Sequence, residues 1–198
     1  FFENKPYQGA SGKVYPIPYC DGISDEKRDV EYEVYTLENE YVKTQVVPAL
    51  GGKILRGFDK VGNYDFIYYN EVVKPALVGL AGPWISGGIE FNWPQHHRPT
   101  TFMPLEAVEE DNTDGGKTVW TGEVEPFGRM KGMAGITVDK GRSYIKAKVR
   151  LYNRTAFPQV FMWWANLAVP VNNAYRTVFP PDCEWVNDHD RRAVLEWP

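Results

Sequence analysis

The sequence is poor in the side chains that most metal and redox sites need. It contains 2 cysteines and 3 histidines in 198 residues. Cys20 and Cys183 lie far apart and have no CxxC spacing, which excludes a zinc ribbon or a dithiol redox motif. They are either two free, buried thiols or the two halves of one bridge. We expect no bound metal and no cofactor.

Other absences exclude whole classes of partner. No run of Lys and Arg occurs and the net charge is -4, so we expect no nucleic-acid ligand. The most apolar stretch, Val160–Val171, is shorter than the ~20 residues of a membrane-spanning helix. Asn166 and Pro170 also interrupt it, so the sequence predicts a buried strand there and no membrane segment. The chain begins at Phe1 without a charged leader, so we expect a processed or excised fragment of unknown compartment.

The sequence also lacks the periodicity of a helix. Apolar and polar residues alternate instead with a period of two along most of the chain. Between Ser143 and Asn153, one face would carry Ile145, Ala147, Val149 and Leu151, and the other face Lys and Tyr side chains. Gly and Pro residues separate the runs, as in hairpins. The pattern predicts an all-β, large antiparallel β-sandwich over residues 30–198, preceded by an arm of residues 1–29. The other strands are expected at Val30–Thr36, Tyr41–Val47, Ile54–Asp59, Asp65–Tyr69, Lys117–Val124 and Ala134–Val138.

Aromatic residues are unusually frequent. The 7 Trp, 12 Tyr and 10 Phe make up 15% of the chain. One interpretation is a β-rich core, because aromatic side chains fit a pleated, half-buried surface. The other is carbohydrate binding, in which the apolar face of a pyranose stacks on an aromatic ring. We favour the core interpretation for any single aromatic residue, and favour it less for Trp residues that stand beside Gly and Pro.

The densest group of polar and aromatic side chains lies between Gly82 and Thr101, within a long stretch that shows little alternation. If residues 88–93 are extended, Glu90 and Asn92 share one face, opposite Ile89, Phe91 and Trp93. A carboxylate and an amide side by side suit vicinal hydroxyl groups. We therefore expect a carbohydrate ligand, bound by Trp84, Trp93, Asn92 and Arg98. Arg98 either clamps an acidic group of the substrate or pairs with Glu90.

Two adjacent histidines, His96 and His97, offer acid–base chemistry because imidazole titrates near neutral pH. Neighbouring residues of an extended chain point in opposite directions, so both are not expected to bind one metal ion. The alternative is that they are hydrogen-bonded structural imidazoles. Glu90 is the nearest candidate carboxylate in sequence.

A second polar cluster spans Phe179–Arg192 and contains Asp188 and His189 beside Trp185. Carboxylates in different environments are what acid–base chemistry on a sugar requires. We therefore assign a catalytic role to Asp188 and a substrate-binding role to His189, although charged surface turns have the same composition. Asn166, inside the apolar run Val160–Val171, is expected to be a buried amide, either a structural bridge or a residue that faces a polar cavity.

Several strings resemble one family: LENEYVKTQVVPALGGKI, DKVGNYDFIYYN, VVKPALVGLAGPWISGGIEFNWPQHHRPTTF, WWANLAVPVN, and FPPD followed by VNDHDRR. From about Tyr32 onward the chain resembles the DUF5107 family, a bacterial group with the galactose-mutarotase-like β-supersandwich. The resemblance implies that fold and a carbohydrate ligand. In the wider mutarotase-like group a His protonates the sugar ring oxygen and a distant Glu removes the anomeric proton. His96 or His97 would take the role of that His.

The sequence also departs from the wider group. The Asn-His-x-Tyr-Phe-Asn string is absent, and the chain stops at Pro198, before the region where the base Glu is expected. We therefore expect an incomplete N-terminal portion of the supersandwich, whose relatives are longer and often carry tetratricopeptide repeats. The expected function is carbohydrate binding with glycosidase-like or epimerase-like acid–base chemistry. The alternatives are a non-catalytic sugar-binding domain and a scaffold domain, with self-association through exposed strand edges as an expected interaction.

Overall fold

Antiparallel strands form the chain, as the period of two predicts. The computed structural model describes residues 26–76, 84–94, 97–98, 100–126, 128–188 and 193–196. None of these residues belongs to a helix long and apolar enough to cross a membrane. The strands are β1 (Tyr35–Glu38), β2 (Val42–Val47), β3 (Lys53–Asp59), β4 (Tyr64–Asp65), β5 (Pro75–Ala76), β6 (Trp84–Ile85), β7 (Ile89–Asn92), β8 (Glu106–Asp111), β9 (Lys117–Val124), β10 (Lys131–Thr137), β11 (Lys146–Tyr152), β12 (Trp164–Leu167), β13 (Trp185–Asp188) and β14 (Ala193–Glu196).

Two sheets share one hydrophobic core. The larger sheet has the order β1-β2-β3-β7-β12, with β4 paired to β3, and the second sheet has the order β11-β10-β9-β8. The core joins apolar side chains of both sheets, which is the sandwich-like, all-β arrangement that the alternation predicts. The strand pair β5–β6 and the hairpin β13–β14 are hydrogen-bonded to neither of these sheets within the described residues. The core residues are Val46, Ile54, Ile67, Phe91, Trp93, Val119, Ala134 and Ile136.

The contact between Trp93 and Gly132 brings the two sheets together. Trp93 follows β7 and has no exposed surface, and a β-carbon on Gly132 of β10 would lie 2.4 Å from its Cδ2. The indole therefore lies directly on the backbone of the opposite sheet. Glycine is required at this position because any larger residue overlaps the ring.

The reversal between β2 and β3 fixes the position of the site. Pro48–Leu50 form one 3-10 turn, and Gly51 and Gly52 follow with φ angles of 73° and 68°. These left-handed conformations favour glycine. Gly51 also lies so close to Thr101 that a β-carbon would overlap the carbonyl oxygen of that residue. The loop after β7 therefore packs against the start of β3.

Several strand predictions are confirmed and others are wrong. Strands β2, β3, β9, β10 and β11 lie where the alternation places them, but β1 begins at Tyr35 rather than at Val30. Only Asp65 of the predicted Asp65–Tyr69 strand belongs to a strand, and β8 was not predicted. Strand β8, with the sequence EAVEED, is an exposed edge strand. Its sequence lacks an apolar alternation, so no pattern predicts a strand there.

The predicted burial is wrong at the two edge strands. Val160–Val171 is not a buried strand: only Trp164–Leu167 pair with β7, and Ala165, Asn166 and Leu167 are exposed. On β11 the predicted apolar face is also exposed, with Val149 at 37% and Leu151 at 41%. Both strands lie at a sheet edge, where an apolar sequence is not sufficient for burial because the described residues do not cover that face.

We predict that Gly132→Ala destabilises the protein by roughly 1–3 kcal/mol, because the new methyl group forces the Trp93 indole or strand β10 to move. Urea unfolding followed by circular dichroism measures this effect. Gly116→Ala is the matched control, since its β-carbon would meet nothing closer than the flexible Asp114 carboxylate at 3.3 Å. Equal stability of the two variants would contradict the tight packing of Trp93.

Candidate functional site

The outer face of the larger sheet, which points away from the second sheet, carries the candidate site. Phe91 lies in the core, so Glu90 and Asn92 alternate to the outer face, as predicted. Strand β12 places Asn166 opposite Glu90 and Trp164 opposite Asn92. On the other side, Ile54 of β3 pairs with Ile89, so the antiparallel register places Lys53 beside Glu90. Three strands therefore contribute polar side chains to one area.

Glu90 and His97 form the centre of this site. The Nδ1 atom of His97 lies 3.3 Å from Oε1 of Glu90, and the two side chains are 15% and 9% exposed. The imidazole stacks on Trp84, with ring centroids 3.6 Å apart, and meets the edge of Trp164 at 4.4 Å. The structure thus brings together three residues of the predicted site, namely Glu90, His97 and Trp84. A carboxylate that faces imidazole Nδ1 orients the ring and favours one tautomer.

Lys53 adds a buried positive charge beside this pair. Its ammonium group donates a hydrogen bond of 2.9 Å to the carbonyl oxygen of Ile85, the residue that follows Trp84. Lys53 is only 3% exposed. Burial lowers the pKa of Lys53 to about 8, and the charge of Glu90 partly opposes this shift. A buried lysine and carboxylate on adjacent strands are typical of functional sites, although structural ion pairs show the same signature.

Asn92 is buried beneath the site rather than exposed in it. Its Oδ1 accepts a hydrogen bond of 2.8 Å from the backbone N–H of Arg98, and the residue has no exposed surface. Its Nδ2 has no hydrogen-bond partner in the described part of the chain. Asn92 therefore holds the loop after β7, which corrects the expectation that it contacts substrate hydroxyl groups.

Arg98 is a structural cation and does not pair with Glu90. Its Nη1 donates to Glu123 at 2.9 Å and its Nη2 to the carbonyl oxygen of Gly51 at 2.7 Å. The guanidinium lies over the Trp93 ring, 4.5 Å from the centroid. Burial lowers the pKa of Arg98, and the Glu123 carboxylate opposes the change. Since the side chain has no exposed surface, the expected clamp on a substrate is corrected to a bond between the two sheets.

The structure also contradicts the expected burial of two other candidate site residues. Trp93 has no exposed surface, so it is a core residue and not a stacking platform. Asn166 was expected to be a buried amide but is exposed on β12, because this strand lies at the sheet edge. Its position opposite Glu90 nevertheless keeps it at the site.

The second polar cluster does not join this site within the described residues. Asp188 ends β13 in the hairpin β13–β14, which is not hydrogen-bonded to the larger sheet within the described residues. His96 and His189 lie outside the described residues, as does Cys20. Cys183 is a free, half-buried thiol. In the part of the chain that is described, no three His, Cys, Asp or Glu side chains are grouped as metal ligands.

Sequence reasoning missed Lys53 and Trp164. Lys53 directly follows the Gly51-Gly52 reversal and interrupts an apolar stretch. A charged residue in such a stretch indicates a specific role for the charge. Trp164 stands two residues before Asn166, so a strand places both on one face. Neither signal is specific without the register, because the partner strand β7 lies far away in the sequence.

We predict that Arg98→Met costs roughly 3–5 kcal/mol of stability, because it removes a fully buried cation and leaves the half-buried Glu123 carboxylate without its partner. The control is Arg150→Met. Arg150 also covers a Trp ring, at 4.2 Å, but its partner Glu110 is 3.7 Å away and half exposed. That exposed pair contributes less than about 1 kcal/mol. Thermal unfolding of both variants distinguishes the two cases, and similar losses would contradict the role of Arg98.

We also predict a stability change that Lys53 causes at alkaline pH. Below pH 8 the lysine is charged in both the folded and the unfolded chain, so the burial penalty is fully present. Between about pH 8 and 10.5 the folded protein has released this proton while the unfolded chain still binds it, so stability rises with pH. The rise is about 3 kcal/mol.

The measurement is the free energy of unfolding against pH for the native protein and for Lys53→Met, which should lack this rise. Lys117→Met is the control. Lys117 is exposed, and the hydrogen bond that its ammonium donates to Glu109 raises its pKa, so its contribution is present at neutral pH and is lost only at higher pH. A Lys53→Met profile that is parallel to the native profile would show that Lys53 is not buried as a cation.

Comparison with known proteins adds a structural relative and a family. A crystal structure of a TPR-domain containing protein from Parabacteroides distasonis ATCC 8503 is similar, with a TM-score of 0.64 and 27% sequence identity. The similarity covers 71% of this chain and 24% of that chain, so this chain spans about a quarter of the length of that protein. The family model described as Domain of unknown function (DUF5107) matches residues 10–198, and the chain therefore belongs to the DUF5107 family.

Proposed function

We propose that the outer face of the larger sheet binds a carbohydrate and that the Glu90–His97 pair performs acid–base chemistry on it. The observation that carries the proposal is the 3.3 Å contact of these two side chains between the rings of Trp84 and Trp164. Half-buried Trp rings beside a carboxylate, an imidazole and an exposed amide suit a ligand with apolar C–H faces and many hydroxyl groups. A galactose-mutarotase-like arrangement of the sheets is part of this proposal.

The chemistry follows from the way in which Glu90 orients the imidazole. In neutral His97 the Nδ1–H donates to Glu90, so Nε2 is the basic nitrogen. A protonated imidazole in this position donates its Nε2 proton to an oxygen of the sugar and becomes neutral. Glu90 stabilises the imidazolium before the transfer and keeps its hydrogen bond from Nδ1–H afterwards. Lys53 lowers the energy of the Glu90 carboxylate through its charge and fixes the strand that carries Trp84.

The second candidate function is binding without turnover, in a domain of a larger repeat-containing protein. Two observations favour it. Asp188, the other predicted catalytic carboxylate, lies on a separate hairpin. The similar crystal structure is that of a TPR-domain containing protein of which this chain spans a quarter. The binding face is common to both candidates, and only the proton transfer distinguishes them.

We predict that Trp84→Ala weakens sugar binding by at least about tenfold, equivalent to about 1.4 kcal/mol, because it removes the ring that supports both the sugar and His97. A panel of neutral mono- and oligosaccharides is titrated into the protein and followed by ligand-observed NMR. Trp185→Ala is the control, since Trp185 is 60% exposed on the separate hairpin. If no sugar of the panel binds, or if both variants lose affinity equally, the proposed binding face is wrong.

Turnover is tested separately with His97→Gln and Glu90→Gln. Both variants keep the shape of the site, so we expect the affinity for sugar to change by less than about threefold while turnover falls by about a hundredfold or more. The measurements are release of reducing ends and exchange between anomers. Sugar binding without any turnover by the native protein would favour the second candidate.

A further inference from the structure

A second group of donor side chains lies on the outer face of the larger sheet, on strands β2 and β3. Lys43 pairs with Phe58 and Gln45 pairs with Arg56, so the four side chains alternate to the same face. The intervening pair, Thr44 and Gly57, points inward and is buried. Together the four outer side chains line a cavity of about 170 Å³. We call this cavity the β2–β3 pocket.

Arg56 is held in place before any ligand arrives. Its Nε and Nη2 bind the two carboxylate oxygens of Asp65 at 2.5 and 2.9 Å. The guanidinium also lies over the rings of Phe58 and Tyr69, at 5.4 and 5.0 Å. Asp65 uses only one side of the planar guanidinium, so Nη1 is left with its two N–H groups. A side chain ordered by two rings and a carboxylate loses little entropy when it binds a further acceptor.

Lys43 supplies a second set of donors. Its nearest acidic side chain, Glu38, is 3.9 Å away, whereas Glu38 makes a hydrogen bond of 2.6 Å with Lys60. The bond from Lys60 is also the main reason why the pKa of Glu38 is lowered. Within the described residues the ammonium of Lys43 donates no hydrogen bond. The described residues that line the pocket include no carboxylate, and they bring an ammonium, a guanidinium and an amide together around it.

The β2–β3 pocket and the Glu90–His97 pair lie on the same face of the larger sheet. Tyr69, which packs on Arg56, bridges to Gly87, and Gly87 lies between Trp84 and Glu90 in the chain. Glu90 is one strand away from β3 and stands beside Lys53, which precedes Arg56 and Phe58 by three and five positions. Strand spacing and rise place the pocket residues roughly 10–20 Å from Glu90. One pyranose ring cannot reach both places, but an oligosaccharide can.

We propose that the β2–β3 pocket is a second subsite that binds the carboxylate of an acidic sugar unit, and that the ligand of this face is therefore a uronate-containing oligosaccharide. Arg56 and Lys43 donate to the carboxylate oxygens, and the Phe58 ring supports the apolar face of the same unit. The inference rests on the proposed carbohydrate function and adds the ligand class. Selectivity for the acid comes from the N–H groups of Lys43 and of Arg56 Nη1 that donate no hydrogen bond within the described residues, which an uncharged ester would leave only partly satisfied.

The test compares two acidic trisaccharides, trigalacturonate and trimannuronate, with their methyl esters, which have the same ring skeleton without the charge. The full-length protein is titrated with each probe by isothermal calorimetry. We expect at least one acid to bind about tenfold more tightly than its ester. Lys43→Gln should abolish most of this preference, and added salt should reduce it in the native protein. If neither acid binds more tightly than its ester, the proposed ligand class is wrong.

Two further variants separate the possible failures. Arg150→Gln is the matched control, because Arg150 also covers an aromatic ring near a carboxylate but lies on the second sheet. It should leave the preference for the acid unchanged. Trp84→Ala should weaken the acid and the ester alike. If Trp84→Ala has this effect while Lys43→Gln has none, the proposed function stands and the acidic subsite fails. If none of the four probes binds to the native protein, the acidic subsite fails, and the panel of neutral sugars alone decides the proposed function.

Discussion

Burial of the Arg98 guanidinium is the interaction on which the rest of the site depends. This one side chain reaches the Gly51 carbonyl at the β2–β3 reversal, the Glu123 carboxylate on the second sheet and the Trp93 ring in the core. The backbone N–H of Arg98 donates a hydrogen bond to Oδ1 of Asn92. A buried charge is stable only when it is fully paired, so these contacts form together or not at all. The position of His97, the preceding residue, is fixed by the same contacts.

Charged side chains around β7 connect the hydrophobic core to the outer face of the larger sheet. Lys53 and Arg98 are both buried, and the negative charge of Glu90 opposes the loss of the proton from each. A single carboxylate therefore interacts with two buried cations from different elements and with an imidazole. Such a group responds to changes on either side of the sheet. The charge of Glu90 therefore acts on both Arg98 beneath β7 and Lys53 on the outer face.

The sequence predicts strands and faces well and burial poorly. Alternation placed β2, β3, β9, β10 and β11 correctly and assigned Glu90 to the face opposite Phe91, because these features depend only on the period of the backbone. Whether a side chain is covered depends on the other elements. Asn166 lies in an apolar stretch yet is exposed, and Arg98 carries a full charge yet is buried. Lys53 and Trp164 became site residues only through the register of distant strands.

The pairing of β7 with β12 also determines when the outer face can form. Strands β8 to β11, which make up the entire second sheet, lie between these two partners in the chain and pair only with their immediate neighbours. Local pairs form faster than pairs that close long loops. Synthesis from the N-terminus therefore allows the second sheet to fold before Trp164 and Asn166 reach Glu90. The side chains of the candidate site come together last, on a core that is already packed.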